Sequence, residues 1–168
     1  GKLVTKAFLT IEGVYLMLKK IILDCDPGHD DAVAIMLAAA NEDIEILGIT
    51  CVGGNTTLEN TKTNSLKICS LIGRTDLNIY SGAEKPLKYD LVTAAHVHGK
   101  SGLDIEGSPI AIAENYNLQD QHAVDFIIQT CNDYEGQIYL CATGPLTNIA
   151  MSLQKDSSIA KKIKEIVF

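Results

Sequence analysis

The stretch LDCDPGHDDAVAIMLAAA, residues 23–40, carries four aspartates within eight residues and then continues as an apolar helical pattern. The apolar run before it ends in Asp-Pro-Gly, which is typical of a buried strand followed by a turn. Good helix formers follow from Asp30 onward. The stretch therefore predicts a strand, an acidic turn and a helix. Like charges this close repel one another, so a compensating group is expected nearby.

Short apolar runs alternate with helical patterns along the rest of the chain. The predicted strands are 20–25, 44–52, 77–80, 137–143 and 163–168. The predicted helices are 30–40, 56–73, 121–132 and one that is opened by a turn within GPLTNIAMSL (144–153). Such alternation predicts an α/β fold, a Rossmann-like parallel sheet with helices on both faces. The long polar stretch 81–119 is predicted to be a functional or mobile loop.

Composition excludes several classes of partner. The chain has 168 residues, is 46% hydrophobic and carries a net charge of -7. Binding to nucleic acid or to an anionic membrane needs a basic surface, which this charge does not provide. No segment reaches the roughly 18 apolar residues of a membrane span. The length suits a single domain with a real core.

The chain has five cysteines, an odd number, and no CxxC motif. Buried, reduced thiols in a cytoplasmic protein explain them better than a disulfide framework or a zinc site. Cys25 lies inside the acidic cluster, where neighbouring carboxylates would raise its pKa and suppress a nucleophilic thiolate. Residues 1–18 are interpreted as an N-terminal extension, and the domain is expected over 19–168.

Helix capping explains one or two of the four aspartates, since acidic residues stabilise the first turn of a helix. It does not explain Asp26, which lies at the strand end and faces the same turn. A bound cation would relieve the repulsion between Asp26, Asp30 and Asp31. Because the available ligands are oxygens, the expected ion is hard, either Ca²⁺ or Mg²⁺.

The turn also indicates which ligand it accepts. A strand–glycine–helix turn commonly binds phosphate through backbone N–H groups and a lysine. Here the lysine is absent and carboxylates fill the turn, so phosphate alone would be repelled. A neutral, hydroxyl-rich ligand such as a sugar fits better. Carboxyl ends of parallel strands meet at one edge, so GGN (53–55) and ATGPLTN (142–148) are expected beside the acidic turn.

Four motifs resemble those of the inosine–uridine-preferring nucleoside hydrolases. They are KKIILDCDPGHDDAVAIMLA, GITCVGGNTTLENTKTNSLKI, HGKSGLD and ATGPLTNIAMSL. They occur in the order and spacing of that family, and the resemblance extends over residues 19–168. The resemblance implies hydrolysis of the N-glycosidic bond of purine or pyrimidine ribonucleosides to free base and ribose. It implies a small-molecule nucleoside as partner, a place in nucleoside salvage, and a homo-oligomer for intact relatives.

The resemblance also implies a cofactor and a set of site residues. Ca²⁺ would be held by Asp26, Asp31 and the backbone carbonyl of Thr143. Asp26 would in addition accept the proton of the water that attacks the ribose. An oxocarbenium-like sugar would be stabilised by the surrounding carboxylates.

Two further residues, Asp30 and Asn55, would hold the ribose hydroxyls. His98 matches a histidine near the base pocket. Asp24 is expected to support the turn through hydrogen bonds, and His29 is expected at the surface. Asn148 lies at the start of a helix and is expected to cap backbone groups there.

The family's domain is about twice as long as this chain. The resemblance therefore implies a C-terminally incomplete domain that lacks one calcium aspartate, part of the ribose site and the usual acid histidine, with impaired activity. Base preference stays open. The alternatives are a non-catalytic metal- or ribose-binding remnant and a phosphatase with an aspartate nucleophile. The phosphatase is disfavoured because the turn lacks the Thr/Val-rich continuation and the later lysine.

Overall fold

The computed structural model describes residues 10–11, 14–15, 17–99, 101–103 and 109–168, and for 10–11, 14–15, 95 and 98 the backbone alone. The strands are β1 (Thr10–Ile11), β2 (Val14–Tyr15), β3 (Lys19–Cys25), β4 (Ile44–Cys51), β5 (Ile79–Ser81), β6 (Leu118–Gln119), β7 (Ile138–Ala142) and β8 (Ile163–Val167). The helices are α1 (His29–Ala40), α2 (Leu58–Leu71), α3 (Ala95–His98), α4 (Ala123–Asp133) and α5 (Thr147–Lys155), with a 3₁₀ helix over Ser157–Lys161.

The main sheet has six strands in the order β6-β5-β4-β3-β7-β8, and every neighbouring pair is parallel. From β3 the chain builds one half of the sheet through β4, β5 and β6. It then returns to the other side of β3 to form β7 and β8. The strand order therefore reverses between β3 and β7, and ligands of such sheets bind outside the carboxyl ends at this switch point.

Both faces of the sheet are covered, because successive side chains of the central strand point to opposite sides. Ile21 and Leu23 of β3 pack into one core with residues of α1 and α2. Ile22 is fully buried in a second core with residues of α4 and α5. Burial of one such side chain contributes roughly 1.5–3 kcal/mol. The predicted α/β fold, with a parallel sheet and helices on both faces, is confirmed.

The structure adds detail that the sequence patterns do not contain. β6 is a two-residue strand within the predicted loop 81–119, and it pairs with β5 through Ile79 and Tyr80. β1 and β2 form an antiparallel pair within the predicted extension 1–18. None of the helices among the described residues combines the length and the apolar character that a bilayer crossing requires.

Candidate active site

The acidic turn joins β3 to α1 at the switch point of the sheet. β3 ends at Cys25, residues 26–28 form the turn, and α1 begins at His29. The N-cap residue of α1 is Gly28, which makes no side-chain cap hydrogen bond, while Asp30 and Asp31 lie in the first turn. The aspartates therefore do not act as N-caps. Their contribution to the helix is limited to its dipole, which favours negative charge at this end.

Asp26 and Asp31 are both buried and lie against each other. Their exposed fractions are 4% and 2%. The backbone N–H of Asp26 donates to Oδ2 of Asp31 at 3.2 Å. The backbone N–H of Asn55, in the turn after β4, donates to Oδ2 of Asp26 at 2.6 Å, and its side-chain amide donates to the carbonyl of Asp26 at 3.2 Å. Two neighbouring strand ends thus converge on one pair of carboxylates.

Two glycines allow the chain to approach the Asp26 carboxylate closely. A Cβ atom added to Gly54 would overlap Oδ2 of Asp26. A Cβ atom added to Gly144, in the turn after β7, would lie 2.9 Å from both the backbone nitrogen and Oδ1 of Asp26. The carboxylate therefore lies between backbone segments from two other strand ends, in a space that any side chain would fill.

Burial raises the pKa of Asp26, and the nearby charge of Asp31 raises it further, although the N–H of Asn55 opposes the shift. Burial and the neighbouring charge of Asp30 likewise raise the pKa of Asp31, against a hydrogen bond donated by the hydroxyl of Thr143. Each carboxylate is therefore costly to keep charged in its present surroundings. A hard cation would offset this cost, so the donor set fits Ca²⁺ or Mg²⁺.

The buried pair of carboxylates, Asp26 and Asp31, is not part of a larger group of metal-binding side chains among the described residues. Among them, no group of three or more His, Cys, Asp and Glu side chains is arranged to hold a metal ion. Thr143, predicted to contribute a backbone carbonyl, lies at the end of β7, and its N–H donates to the carbonyl of Asp24 at 2.9 Å. The fold thus brings the three predicted ligands together as two side chains and one main-chain position.

The remaining predicted residues differ in how they relate to this pair. Asp30 is exposed in the first turn of α1, and its charge acts on Asp31. Asn55 is half-buried and contacts Asp26 through both its backbone and its side chain. The backbone of His98 ends α3, but its imidazole lies outside the described residues, as does Asp104 of the same motif. His29 is exposed, as predicted.

A second buried polar network lies beneath the turn. Oδ1 of Asp24 accepts hydrogen bonds from the hydroxyl of Thr50 at 2.6 Å and from the amide of Asn148 at 2.8 Å. The same Asn148 amide donates to the carbonyl of Cys51 at 3.1 Å, and its Oδ1 accepts from the N–H of Ala83 at 2.8 Å. The side chains of Asp24, Thr50 and Asn148 are all fully buried. We call these three residues the Asp24 network.

The prediction that Asn148 caps its own helix is wrong. The N-cap residue is Leu146, and no side chain caps this end of α5. Asn148 lies two residues further on, inside the first turn, and joins strand ends instead. Asn148 is therefore not placed to cap this helix, because a capping asparagine occupies the N-cap position itself. The prediction that Asp24 supports the turn agrees with its hydrogen bonds.

The charge state of Asp24 reflects its surroundings. Burial raises the pKa of Asp24 to about 6, while the donors Asn148 and Thr50 pull it down. Its second oxygen, Oδ2, is buried and has no hydrogen-bond partner in the part of the chain that the structure describes. The Asp24 network therefore provides hydrogen-bond donors to Oδ1 and none to the buried Oδ2.

All five cysteines are free, and Cys141 alone among them is not fully buried. Burial raises the pKa of the Cys25 thiol well above its usual value, and the neighbouring Cys51 and aspartates add to the shift. A thiol that is both buried and hard to ionise is a poor nucleophile. The predictions of reduced thiols and of an unreactive Cys25 are therefore supported by the structure.

Comparisons with known proteins agree on one family. The family model described as inosine-uridine preferring nucleoside hydrolase matches residues 21–168. An uncharacterized protein of Schizosaccharomyces pombe is 46% identical over 152 residues, which are 88% of this chain and 47% of that protein. The pyrimidine-specific ribonucleoside hydrolase RihB of Escherichia coli O1:K1 is 42% identical over 149 residues, 89% of this chain and 46% of RihB.

The solved structure of a purine-preferring ribonucleoside hydrolase from Gardnerella vaginalis superposes with a TM-score of 0.81 at 35% sequence identity, over 88% of this chain and 47% of that one. The chain thus spans about half the length of the relatives it matches. The sequence match and the structural superposition agree with each other. The chain belongs to the inosine-uridine preferring nucleoside hydrolase family.

Proposed function

We propose that this chain provides the metal- and ribose-binding half of an enzyme that hydrolyses the N-glycosidic bond of ribonucleosides. One observation carries the proposal: the buried carboxylates of Asp26 and Asp31 lie together at the switch point between β3 and β7, facing Asn55. Family membership supports the reaction class. Free base and ribose are the expected products.

Three residues are proposed to hold Ca²⁺: the carboxylates of Asp26 and Asp31 and the backbone carbonyl of Thr143. When bound, such a cation polarises water and fixes neighbouring oxygen ligands. Asp26 is proposed as the general base that accepts the proton of the attacking water. The N–H of Asn55 orients the carboxylate of Asp26 through a 2.6 Å hydrogen bond, and Gly54 and Gly144 leave room for that carboxylate.

The sugar and the base are assigned to other groups. Asp30 and Asn55 are proposed to bind the ribose hydroxyls. Negative charge on this side of the ring favours the positive charge that develops on the sugar as the bond to the base breaks. His98 is proposed to assist near the base. The relatives include both a purine-preferring and a pyrimidine-specific ribonucleoside hydrolase, so the proposal specifies the ribose of the substrate and leaves the base open.

We further propose that the chain of 168 residues is impaired on its own, since it spans about half the length of its relatives. The additional calcium aspartate, ribose contacts and acid histidine that the family resemblance implies are proposed to lie in the part of these relatives that this chain does not match. The five free thiols support a reducing, cytoplasmic compartment. Homo-oligomerisation and a role in nucleoside salvage follow from the family and stay predictions.

The test is release of reducing sugar from inosine and uridine with Ca²⁺ present. The chain would be assayed beside a fusion that extends it with the C-terminal half of RihB. We expect turnover by the fusion and little or none by the chain alone. Asp26→Asn should lower the turnover of the fusion at least about 100-fold, while the matched surface change Asp125→Asn, which removes an exposed ion pair with Lys155, should not. Near-normal turnover of the fusion with Asp26→Asn, or no turnover in any form, would contradict the proposal.

A further inference from the structure

Asn64 is a buried polar residue in the middle of α2 that none of the roles above uses. It is 1% exposed, although asparagine is mostly found at protein surfaces. Its amide nitrogen donates two hydrogen bonds, one to the carbonyl of Pro27 at 2.9 Å and one to the carbonyl of Ser101 at 2.8 Å. Both amide donors are therefore used, and they fix these two carbonyls relative to each other.

The two carbonyls belong to separate parts of the candidate site. Pro27 directly follows Asp26 in the acidic turn. Ser101 lies just after α3, in the stretch that continues from His98. We define the described residues 94–99 and 101–103 as the α3 segment. The side chain of Asn64 thus connects the acidic turn to the α3 segment, and each contact spans 37 positions along the chain.

The α3 segment has a second attachment at its other end. The N–H of Ala94 donates to the carbonyl of Asn55 at 2.8 Å. Near Ser101, Gly102 has a φ of +82°, and a Cβ atom there would lie 2.9 Å from Cγ2 of Thr56 and 3.2 Å from the amide nitrogen of Asn64. The segment is therefore held close to the start of α2 on both sides of α3.

We infer that Asn64 is a positioning residue that holds the α3 segment against the acidic turn, so that the backbone of His98 keeps a fixed distance from Asp26 and Asp31. Without its two N–H donors, both carbonyls would lose a buried partner. The end of the segment at Ser101 would then be free to move relative to the turn, while Ala94 stays bonded to Asn55. The catalytic consequence of this inference rests on the proposed function, whereas its structural consequence rests on the two hydrogen bonds alone.

The structural consequence can be measured by hydrogen exchange, followed by mass spectrometry, on the chain without added metal. Asn64→Leu keeps the approximate volume and removes both donors. We expect at least about tenfold faster exchange in two places, residues 26–31 and residues 99–103, with little change in β3, β4 and β7. The control is Ser70→Ala on the same helix, which removes the acceptor for the N–H of Ala113. Its faster exchange should be confined to residues near 113.

A second variant, Gly102→Ala, disturbs the contact between Asn64 and Ser101 from the α3 segment and leaves Asn64 itself unchanged. Its Cβ atom would press on Thr56 and Asn64, and its positive φ is unfavourable for alanine. We expect faster exchange in residues 99–103 but not in 26–31, since the bond from Asn64 to Pro27 remains. This variant also keeps the inference falsifiable if Asn64→Leu does not fold. Equal effects of Gly102→Ala on both segments, or none on residues 99–103, would overturn it.

The catalytic consequence can be tested in the fusion with RihB by measuring Ca²⁺ affinity and kcat/KM separately. Asn64→Leu should lower both the Ca²⁺ affinity, measured by calorimetry, and kcat/KM, whereas Gly102→Ala should lower kcat/KM about tenfold with Ca²⁺ affinity unchanged. Uniformly faster exchange across the sheet in Asn64→Leu would reduce Asn64 to a general stability role and refute the inference. If no form hydrolyses nucleosides, the proposed function fails, and the exchange experiment still decides the role of Asn64.

Discussion

Asp24 and Asp26 lie two residues apart at the same strand end, and the fold surrounds their buried carboxylates differently. Oδ1 of Asp24 accepts hydrogen bonds from the side chains of Thr50 and Asn148. Asp26 instead lies against a second carboxylate, that of Asp31, and between two glycines. Two side-chain donors therefore compensate the carboxylate of Asp24, whereas the carboxylate of Asp26 lies beside the like charge of Asp31.

The difference distinguishes a structural buried charge from a functional one. Side-chain donors around a buried carboxylate tie strand ends together and offset part of the cost of burying it. A carboxylate buried beside another is costly until a positive group arrives, and such arrangements concentrate at functional sites. Loss of the donors around Asp24 should therefore lower stability, whereas loss of the Asp26 carboxylate should lower activity.

The largest expected effect is on activity at Asp26. Asp26→Asn removes the proposed base and a metal ligand, so we expect hydrolysis by the fusion to fall on the order of 10²–10⁴-fold or more. Because the folded state raises the pKa of Asp26, loss of its charge should leave the metal-free melting temperature unchanged or higher. Thermal melts with and without Ca²⁺ would check this. A large drop in the metal-free melting temperature would break the comparison.

Asn148→Ala should have the opposite signature. It leaves the Asp24 carboxylate short of one donor and the N–H of Ala83 without an acceptor, so we expect a loss of roughly 2–4 kcal/mol in the free energy of unfolding. Urea denaturation would measure it. The control is Asn132→Ala, which removes an exposed contact with Lys162 and should cost less than about 0.5 kcal/mol. Similar losses in the two variants would remove the special role of Asn148.

Asp24→Asn sharpens the comparison through pH. The pKa of Asp24 is about 6 in the folded protein against 3.8 ordinarily, so the folded state binds this proton more tightly than the unfolded chain. Its contribution to stability is full below about pH 4 and is lost as pH rises towards 6, on the order of 3 kcal/mol in total. The variant should lack that decline. Urea midpoints of both proteins between pH 4 and 7 would reveal it, and parallel curves would contradict it.

The smallest effect is expected from Thr50→Val, which keeps the shape of the side chain and removes a single donor to Asp24. The amide of Asn148 remains in place, so the free energy of unfolding should fall by about 1 kcal/mol. The pKa of Asp24 should also rise, because a donor that lowers it is gone. Chemical denaturation at two pH values would detect both changes. A loss as large as that of Asn148→Ala would contradict the expectation that Asn148, which bonds to Asp24, Ala83 and Cys51, contributes more to stability than Thr50.

The acidic turn could be predicted from sequence because its signals are local. An apolar run, Asp-Pro-Gly and a run of helix formers are adjacent in the chain, and parallel strands bring their carboxyl ends together. β6 could not be predicted, because two residues carry no periodicity and its pairing with β5 depends on the long segment between them. The roles of Asn64 and Asn148 were missed for a related reason. Their partners lie 37 and up to 124 positions away.

The reversal of strand order at β3 has a consequence for how the chain folds. β3 pairs with β4 after about 25 residues and with β7 only after about 118, as the register Lys20↔Glu45 and Lys20↔Ile138 shows. Contacts between distant residues close larger loops and form more slowly. We therefore expect the half that carries Asp26, Asp31 and Asn55 to assemble early. The docking of β7 then brings in Thr143 and Asn148, and this late event completes the site.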